Sequence, residues 1–268
     1  MKIVNITFVL MAIFLLSGCI HSTKTEMNSL KTRITALEEE NSLIDEERSL
    51  LKSDNKLLEK ENETLLKKLE KIEQERIDQL TKITGLVNIR DIDNTIVVDL
   101  RYATENNFVE KKVYPVAICL LQKDTALKLK HANDLAKKDG YRIKVWDGYR
   151  PLYVQEIFWE NTPDPRYVSD PSKGTDHNRG VAVDITLVDE LGKELEMPTG
   201  FDEFTERSWR NHQGNTDEAQ KNMEYLTKIM QESGFSSIST EWWHYRDTNE
   251  KDYPFQNVDL EYFVPKTF

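Results

Sequence analysis

Asp176-His177-Asn178-Arg179-Gly180-Val181-Ala182-Val183-Asp184-Ile185-Thr186-Leu187 is the stretch on which the fold turns. From Val181 onward, Val181, Val183, Ile185 and Leu187 alternate with Ala182, Asp184 and Thr186. That is the period of a strand with one apolar face and one face presenting Asp184. Gly180 permits close backbone approach between His177 and Asp184. A second short run, Glu241-Trp242-Trp243-His244, follows downstream, in a chain with only five histidines.

A catalytic zinc site wants three protein ligands of nitrogen or oxygen and one open position. Neutral His177 and His244 with ionised Asp184 supply such a set and leave the centre net positive, which acidifies water toward neutrality. Glu241, three residues before His244, is placed to take that proton and pass it to a leaving amine. On a regular strand Glu241 and His244 would point to opposite faces, so the run predicts a bend or a strand end. Each residue alone has a plainer reading, His177 or His244 as an ordinary core or surface histidine and Asp184 as a solvated strand residue. Trp242 and Trp243 read as core packing or a pocket wall, and His21, His131 and His212 need no functional role.

Around these runs, strand-like and helix-like stretches alternate from about Val87. Thr125 to Lys138 has helical spacing after Asp124, a good N-cap, and stops before Gly140. Tyr141 to Trp146 reads as a short strand, and Asp147-Gly148-Tyr149-Arg150-Pro151 as a turn opening another helix. Asp217 to Ser233 is helical and ended by Gly234. About 180 residues of such mixed elements can bury one core, and their order predicts an α+β domain over residues 88–268.

Upstream the texture differs. Lys2, the mostly apolar run Ile3 to Leu16 and Leu16-Ser17-Gly18-Cys19 read as a secretory leader over residues 1–18, too short to span a bilayer of about 30 Å comfortably. The Leu-Ser-Gly-Cys ending resembles the lipobox of bacterial lipoproteins, which implies an acylated Cys19, a membrane anchor and an exported chain facing the extracytoplasmic side of a bacterial membrane. An ordinary signal peptide with a chance cysteine is the plainer alternative. The other cysteine, Cys119, lies in an apolar run and reads as a buried thiol, so no pair remains for an internal disulfide.

A short tether, residues 19–26, leads into residues 27–82. Between His21 and Thr84 there is neither glycine nor proline. Leu30, Leu37, Ile44, Leu51, Leu58, Leu65 and Ile72 recur every seven residues, the signature of a coiled coil. The alternate core positions Ile34, Asn41, Arg48, Asn55, Asn62, Leu69 and Arg76 are partly polar, which fits a homodimer or homotrimer without choosing between them. A solvated single helix or an acidic linker is the competing reading. A helical segment of some 50 residues would reach roughly 75 Å. The formal net charge of -11 argues against a nucleic-acid partner.

Val145-Trp146-Asp147-Gly148-Tyr149-Arg150-Pro151, His177 to Asp184 and Glu241-Trp242-Trp243-His244-Tyr245 resemble runs of the bacterial D-alanyl-D-alanine dipeptidases, the VanX-type zinc peptidases. Asp99-Leu100-Arg101-Tyr102-Ala103-Thr104-Glu105-Asn106-Asn107-Phe108 and Gly200-Phe201-Asp202 resemble that family too, in the same order. The likeness covers about residues 88–268 and leaves out leader and stalk. It implies a single zinc-peptidase domain with a central, mainly antiparallel sheet flanked by helices, one Zn2+ on His177, Asp184 and His244, and Glu241 as general base.

The same resemblance implies that Arg150 stabilises the oxyanion at the scissile carbonyl, with a structural arginine closing the turn as its rival. Tyr102 and Asp202 would receive the ammonium group of the substrate, D-Ala-D-Ala. Asp147 would orient that neighbourhood or cap the following helix. Thr175 stands where the family commonly has serine, and Asp176 replaces a second small hydroxyl residue, which leaves open how the substrate carboxylate is held. A carboxypeptidase or endopeptidase on peptidoglycan stem peptides is the nearest rival activity, and a non-catalytic wall-binding lipoprotein the rival of another class.

Overall fold

The computed structural model describes residues 4–266, with side chains from residue 21. The first residues of the leader and the side chain of Cys19 lie outside that description. The chain divides into two compact units, Met1–Leu69 and Glu70–Phe268. The described residues of the first, from Val4, all belong to helix α1, Val4–Thr84. Its heptad residues Leu30, Ile34, Leu37, Ile44, Leu51 and Leu58 are all exposed in the single chain, Leu30 by 60%. No helix among the described residues is long and apolar enough to cross a membrane.

The second unit begins well before the boundary read from the sequence at residue 88, because the last turns of α1 pack into it. Leu80 lies against the hydrophobic core. Arg76, held by Glu73 at 2.7 Å, donates to the carbonyls of Tyr262 and Val264. Gly85 ends the helix at φ 75, and a Cβ there would lie 2.2 Å from Oε1 of Gln122. Left-handed backbone and this close approach both require glycine.

The elements then run β1 (Leu86–Asn88), α2 (Ile89–Ile92), β2 (Val97–Val98), β3 (Leu120–Gln122), α3 (Lys123–Lys138), β4 (Arg142–Asp147) and α4 (Leu152–Asn161). They continue as α5 (Asp176–Arg179), β5 (Ala182–Val188), α6 (Asp217–Glu232), β6 (Phe235–Ser237) and β7 (His244–Asp247). β1 and β3 form a small antiparallel ladder. The main sheet has the order β2-β4-β5-β7-β6, antiparallel except for the β2–β4 pair. This is the α+β architecture that the alternation of elements implies.

Helix α3 begins one residue before Asp124, with Gln122 as its cap. Asp124 therefore stands in the first turn, where its charge still favours the positive helix end. Likewise Pro151 caps α4 from outside rather than opening it. Strand β5 is buried along its whole length, on both faces. Val183, Ile185 and Leu187 join the hydrophobic core, and the other face is covered as well, with Asp184 buried at the wall of a cavity. α3 packs on β4, α6 on β6 and the two helices on each other.

Candidate active site

His177 sits in α5, a single helical turn held by a capping box. The Thr175 hydroxyl accepts from Asn178 N, and the Asn178 side chain accepts from Thr175 N at 2.8 Å. Gly180, at φ 74, ends the turn, and a Cβ there would lie 2.5 Å from Leu86 Cδ2. The chain then enters β5, where Asp184 stands opposite Asp147 on β4 and opposite His244 on β7. Glu241 precedes β7 in a bend, so the expected break between Glu241 and His244 is present.

The bend is gripped by Arg210, a residue that the sequence did not single out. Its guanidinium donates to the carbonyls of Ile238 at 2.8 Å, Trp242 at 2.6 Å and His244 at 3.3 Å, and lies over the Tyr245 ring. Nothing in the local pattern reveals it, because its partners, three backbone carbonyls with the Thr227 and Tyr245 hydroxyls, lie well downstream in the chain.

His177 Nε2, His244 Nδ1 and the Asp184 carboxylate lie within 4.8 Å of one another. His177 Nδ1 meets the Gly148 carbonyl at 2.7 Å, which turns Nε2 toward the other two. His244 Nδ1 is 3.0 Å from Asp184 Oδ1, and His177 Nε2 is 3.4 Å from Oδ2. Two imidazole lone pairs and a carboxylate oxygen converge, a donor set that a divalent transition-metal ion fits.

Burial opposes ionisation of Asp184, but His177 and then His244 outweigh it and hold its carboxyl well below the usual range. Burial also works against a charged His177, and Asp184 reverses that, raising it, whereas burial lowers His244. Glu241 lines the same cavity as the triad. Burial, and then the charges of Asp184 and Asp202, push its carboxyl well above the ordinary range, the direction that suits a proton acceptor working near neutrality.

Arg150 also lines this cavity of about 620 Å³, with Nη2 3.8 Å from Asp184 Oδ2. Its fork is fixed from behind: Asp147 Oδ2 accepts from Nε at 3.0 Å and from Nη2 at 2.7 Å, and Gln155 accepts from Nη1 at 2.8 Å. Asp147 in turn accepts from the Tyr114 hydroxyl at 2.6 Å and from Gly148 N. Asp147 is thus fully buried behind Arg150 and orients it, which excludes the helix-capping alternative and takes it off the substrate-facing wall. Tyr114 and Gln155, like Arg210, carry no sequence signal of their own.

Tyr102 donates to Asp202 Oδ1 at 3.0 Å, and both line the cavity. Asp202 Oδ2 is buried and has no hydrogen-bond partner among the described residues. The residue also holds a left-handed backbone at φ 59, a cost tolerated at sites the surrounding structure over-determines. An orphaned buried acceptor of this kind fits a cationic group. Trp242 and Trp243 are core residues set edge to face, and Cys119 is a buried free thiol.

The family model described as D-ala-D-ala dipeptidase, of the M15 peptidases, matches residues 82–263. A D-alanyl-D-alanine dipeptidase of Escherichia coli (strain K12) is 39% identical over 185 residues, covering 69% of this chain and 96% of the relative. One from Enterococcus faecalis (strain ATCC 700802 / V583) is 34% identical over 173 residues, 57% of this chain and 86% of the relative. One from Enterococcus faecium is 32% identical over 201 residues, 67% of this chain and 98% of the relative.

Burial, with the Asp184 charge adding to it, raises the Asp202 carboxyl from 3.8 to about 8. The folded chain therefore keeps this proton after the unfolded chain has released it, so stability falls as pH rises from about 4 to about 8. Asp202→Asn keeps the shape, accepts the left-handed backbone and stays neutral. In the presence of a chelator, the melting temperature of Asp202→Asn minus that of the natural chain should widen over this interval. Each kcal/mol is worth about 2–4 °C in a chain of this size, and a flat difference would show that Asp202 titrates normally.

Proposed function

The chain belongs to the D-alanyl-D-alanine dipeptidase family of zinc metallopeptidases, and from that membership and the site's geometry we propose that it hydrolyses D-alanyl-D-alanine to two molecules of D-alanine. The observation that carries this is the meeting of His177, Asp184 and His244 within 4.8 Å in the cavity that Glu241 lines. His177 Nε2, His244 Nδ1 and an Asp184 oxygen would hold the zinc, which when bound supplies a Lewis acid that acidifies water and polarises the scissile carbonyl. Glu241 takes the proton from the attacking water and delivers it to the leaving amine nitrogen as the C–N bond breaks. Arg150, locked by Asp147 and Gln155, presents a preset positive charge to the oxyanion developing on the carbonyl.

Substrate length enters through Asp202 and Tyr102. Their buried carboxylate–hydroxyl pair takes the free ammonium group, and a blocked or extended amino terminus would bury a polar atom without its partner. This favours a free dipeptide over a stem peptide. Thr175 supports catalysis by capping the turn that carries His177.

The proposal extends to the N-terminal region. Within residues 27–82, the part up to Leu69 that precedes the second unit forms a coiled coil between two or three copies of the chain, and a lipidated Cys19, the first residue once residues 1–18 are removed, anchors it on the outer side of the membrane. The unbroken heptad ladder and its exposure in the single chain support this reading, because such apolar rows are buried when a partner is present.

Chelation, or Glu241→Gln in the full chain, should lower kcat on D-alanyl-D-alanine by about 10²–10⁴-fold, and unimpaired turnover after either treatment defeats the activity. Sedimentation should give a dimer or trimer that Leu51→Asp with Leu58→Asp converts to monomer; a monomeric natural chain at micromolar concentration rejects the coiled coil. Labelling with a fatty acid should mark the natural chain and not Cys19→Ala, and absence of label from the natural chain rejects the lipid anchor.

A further inference from the structure

Asp176 directly precedes His177 and lines the cavity. A free carboxylate there would repel the carboxylate at the far end of a dipeptide. It is met by Arg246, whose Nη1 lies 3.6 Å from Asp176 Oδ2 and whose Nε donates to Ser236 Oγ at 3.3 Å. Arg246 also lines the cavity, with a side chain 42% exposed. It is two residues beyond His244 on β7, hence on the same strand face. Its second amino nitrogen has no hydrogen bond among the described residues.

The sheet order sets the direction of a bound dipeptide. Tyr102 follows β2 and holds Asp202, Arg150 follows β4, Asp184 lies on β5, and His244 with Arg246 lies on β7. The ammonium pocket thus sits over the β2–β4 side and Arg246 over the β7 side, two residues beyond His244, with Asp184 on the strand between. Neighbouring strands are about 4.8 Å apart, so β4 and β2 lie roughly 10 and 14 Å from β7. An extended dipeptide spans about 7 Å and, with a hydrogen bond at each end, bridges a separation of this order.

Of the other cations of the cavity, Lys173 lies outside the sheet in the turn before Gly174, and the three arginines are committed elsewhere. Arg150 is held by Asp147 and Gln155, Arg166 by Asp164, and Arg179 by the Tyr253 carbonyl and the Phe255 ring.

We propose that Arg246, steadied by Asp176 and Ser236, binds the terminal carboxylate of the substrate, so that the enzyme measures a dipeptide between Asp202 at one end and Arg246 at the other. This rests on the proposed dipeptidase activity. Arg246 is a specificity residue: it contributes to substrate capture and not to the reacting atoms.

The test compares D-alanyl-D-alanine with its C-terminal amide, using the full chain and its Arg246→Gln and Arg246→Lys variants. A charge-assisted hydrogen bond of this kind corresponds to about 10–100-fold in affinity. The natural chain should prefer the free acid by at least about tenfold in kcat/KM. Arg246→Gln should raise KM for the acid about 10–100-fold with kcat within about threefold, leave the amide unaffected and so erase the preference, while Arg246→Lys retains part of it. If Arg246→Gln weakens acid and amide alike, or the preference for the acid persists, the assignment is wrong while the activity stands. Absence of dipeptide turnover in the natural chain removes the activity and the assignment together.

Discussion

Everything at this site is arranged around buried negative charge. Asp147, Asp184 and Glu241 are buried in one neighbourhood, with the buried Oδ2 of half-buried Asp202 beside them, and one buried guanidinium, that of Arg150, faces them with the imidazoles of His177 and His244. Buried carboxylates must be paired, protonated or bound to a cation. The four divide these solutions between them. Asp147 is paired with Arg150, Asp184 is ionised between two histidines, and Asp202 and Glu241 are driven toward the protonated form. A divalent cation at the triad, and the ammonium proposed for Asp202, are charges that would complete this arrangement.

The scaffold supplies the rigidity that such a cluster needs. β4, β5 and β7 set Asp147, Asp184 and His244 at adjacent register positions, and a sheet fixes relative positions more tightly than loops do. The elements that interrupt the sheet, namely the turn α5 and the bend before β7, are each held by polar contacts to their backbone. Thr175 and Asn178 close the first, and Arg210 closes the second. Both irregularities bring a side chain to the metal site that a regular strand could not.

What the sequence reveals and what it hides follow from the range of the interactions. Local signals were legible: the alternation that makes β5, the helical spacing of α3 and α6, the absence of helix breakers from His21 to Thr84, and the two histidines with their neighbouring carboxylates. The break at Glu241–His244 was legible by contradiction, because a straight strand would separate them. Burial of the Asp184 face was not, since alternation alone implies one open face. Nor were β2 and β1, which are too short for a period. Arg210, Gln155 and Tyr114 stayed hidden because they act on backbone or on residues distant in the chain. The packing of the last turns of α1 on the second unit was hidden because the helix carries one texture through Leu69, while only contacts such as those of Arg76 and Leu80 reveal it.

The segment after β7 bears on truncation of the chain. The candidate metal-ligand residues and Glu241 all lie at or before His244, yet the frame around them is completed by later residues: Gln256 N donates to the Asn178 carbonyl, Asn257 accepts from Leu152 N, and Val258 exchanges hydrogen bonds with the Tyr149 hydroxyl. A variant truncated soon after His244 would own the full set of candidate ligands without the clasp that seats α4 and α5, and its carboxylate cluster would be only loosely confined.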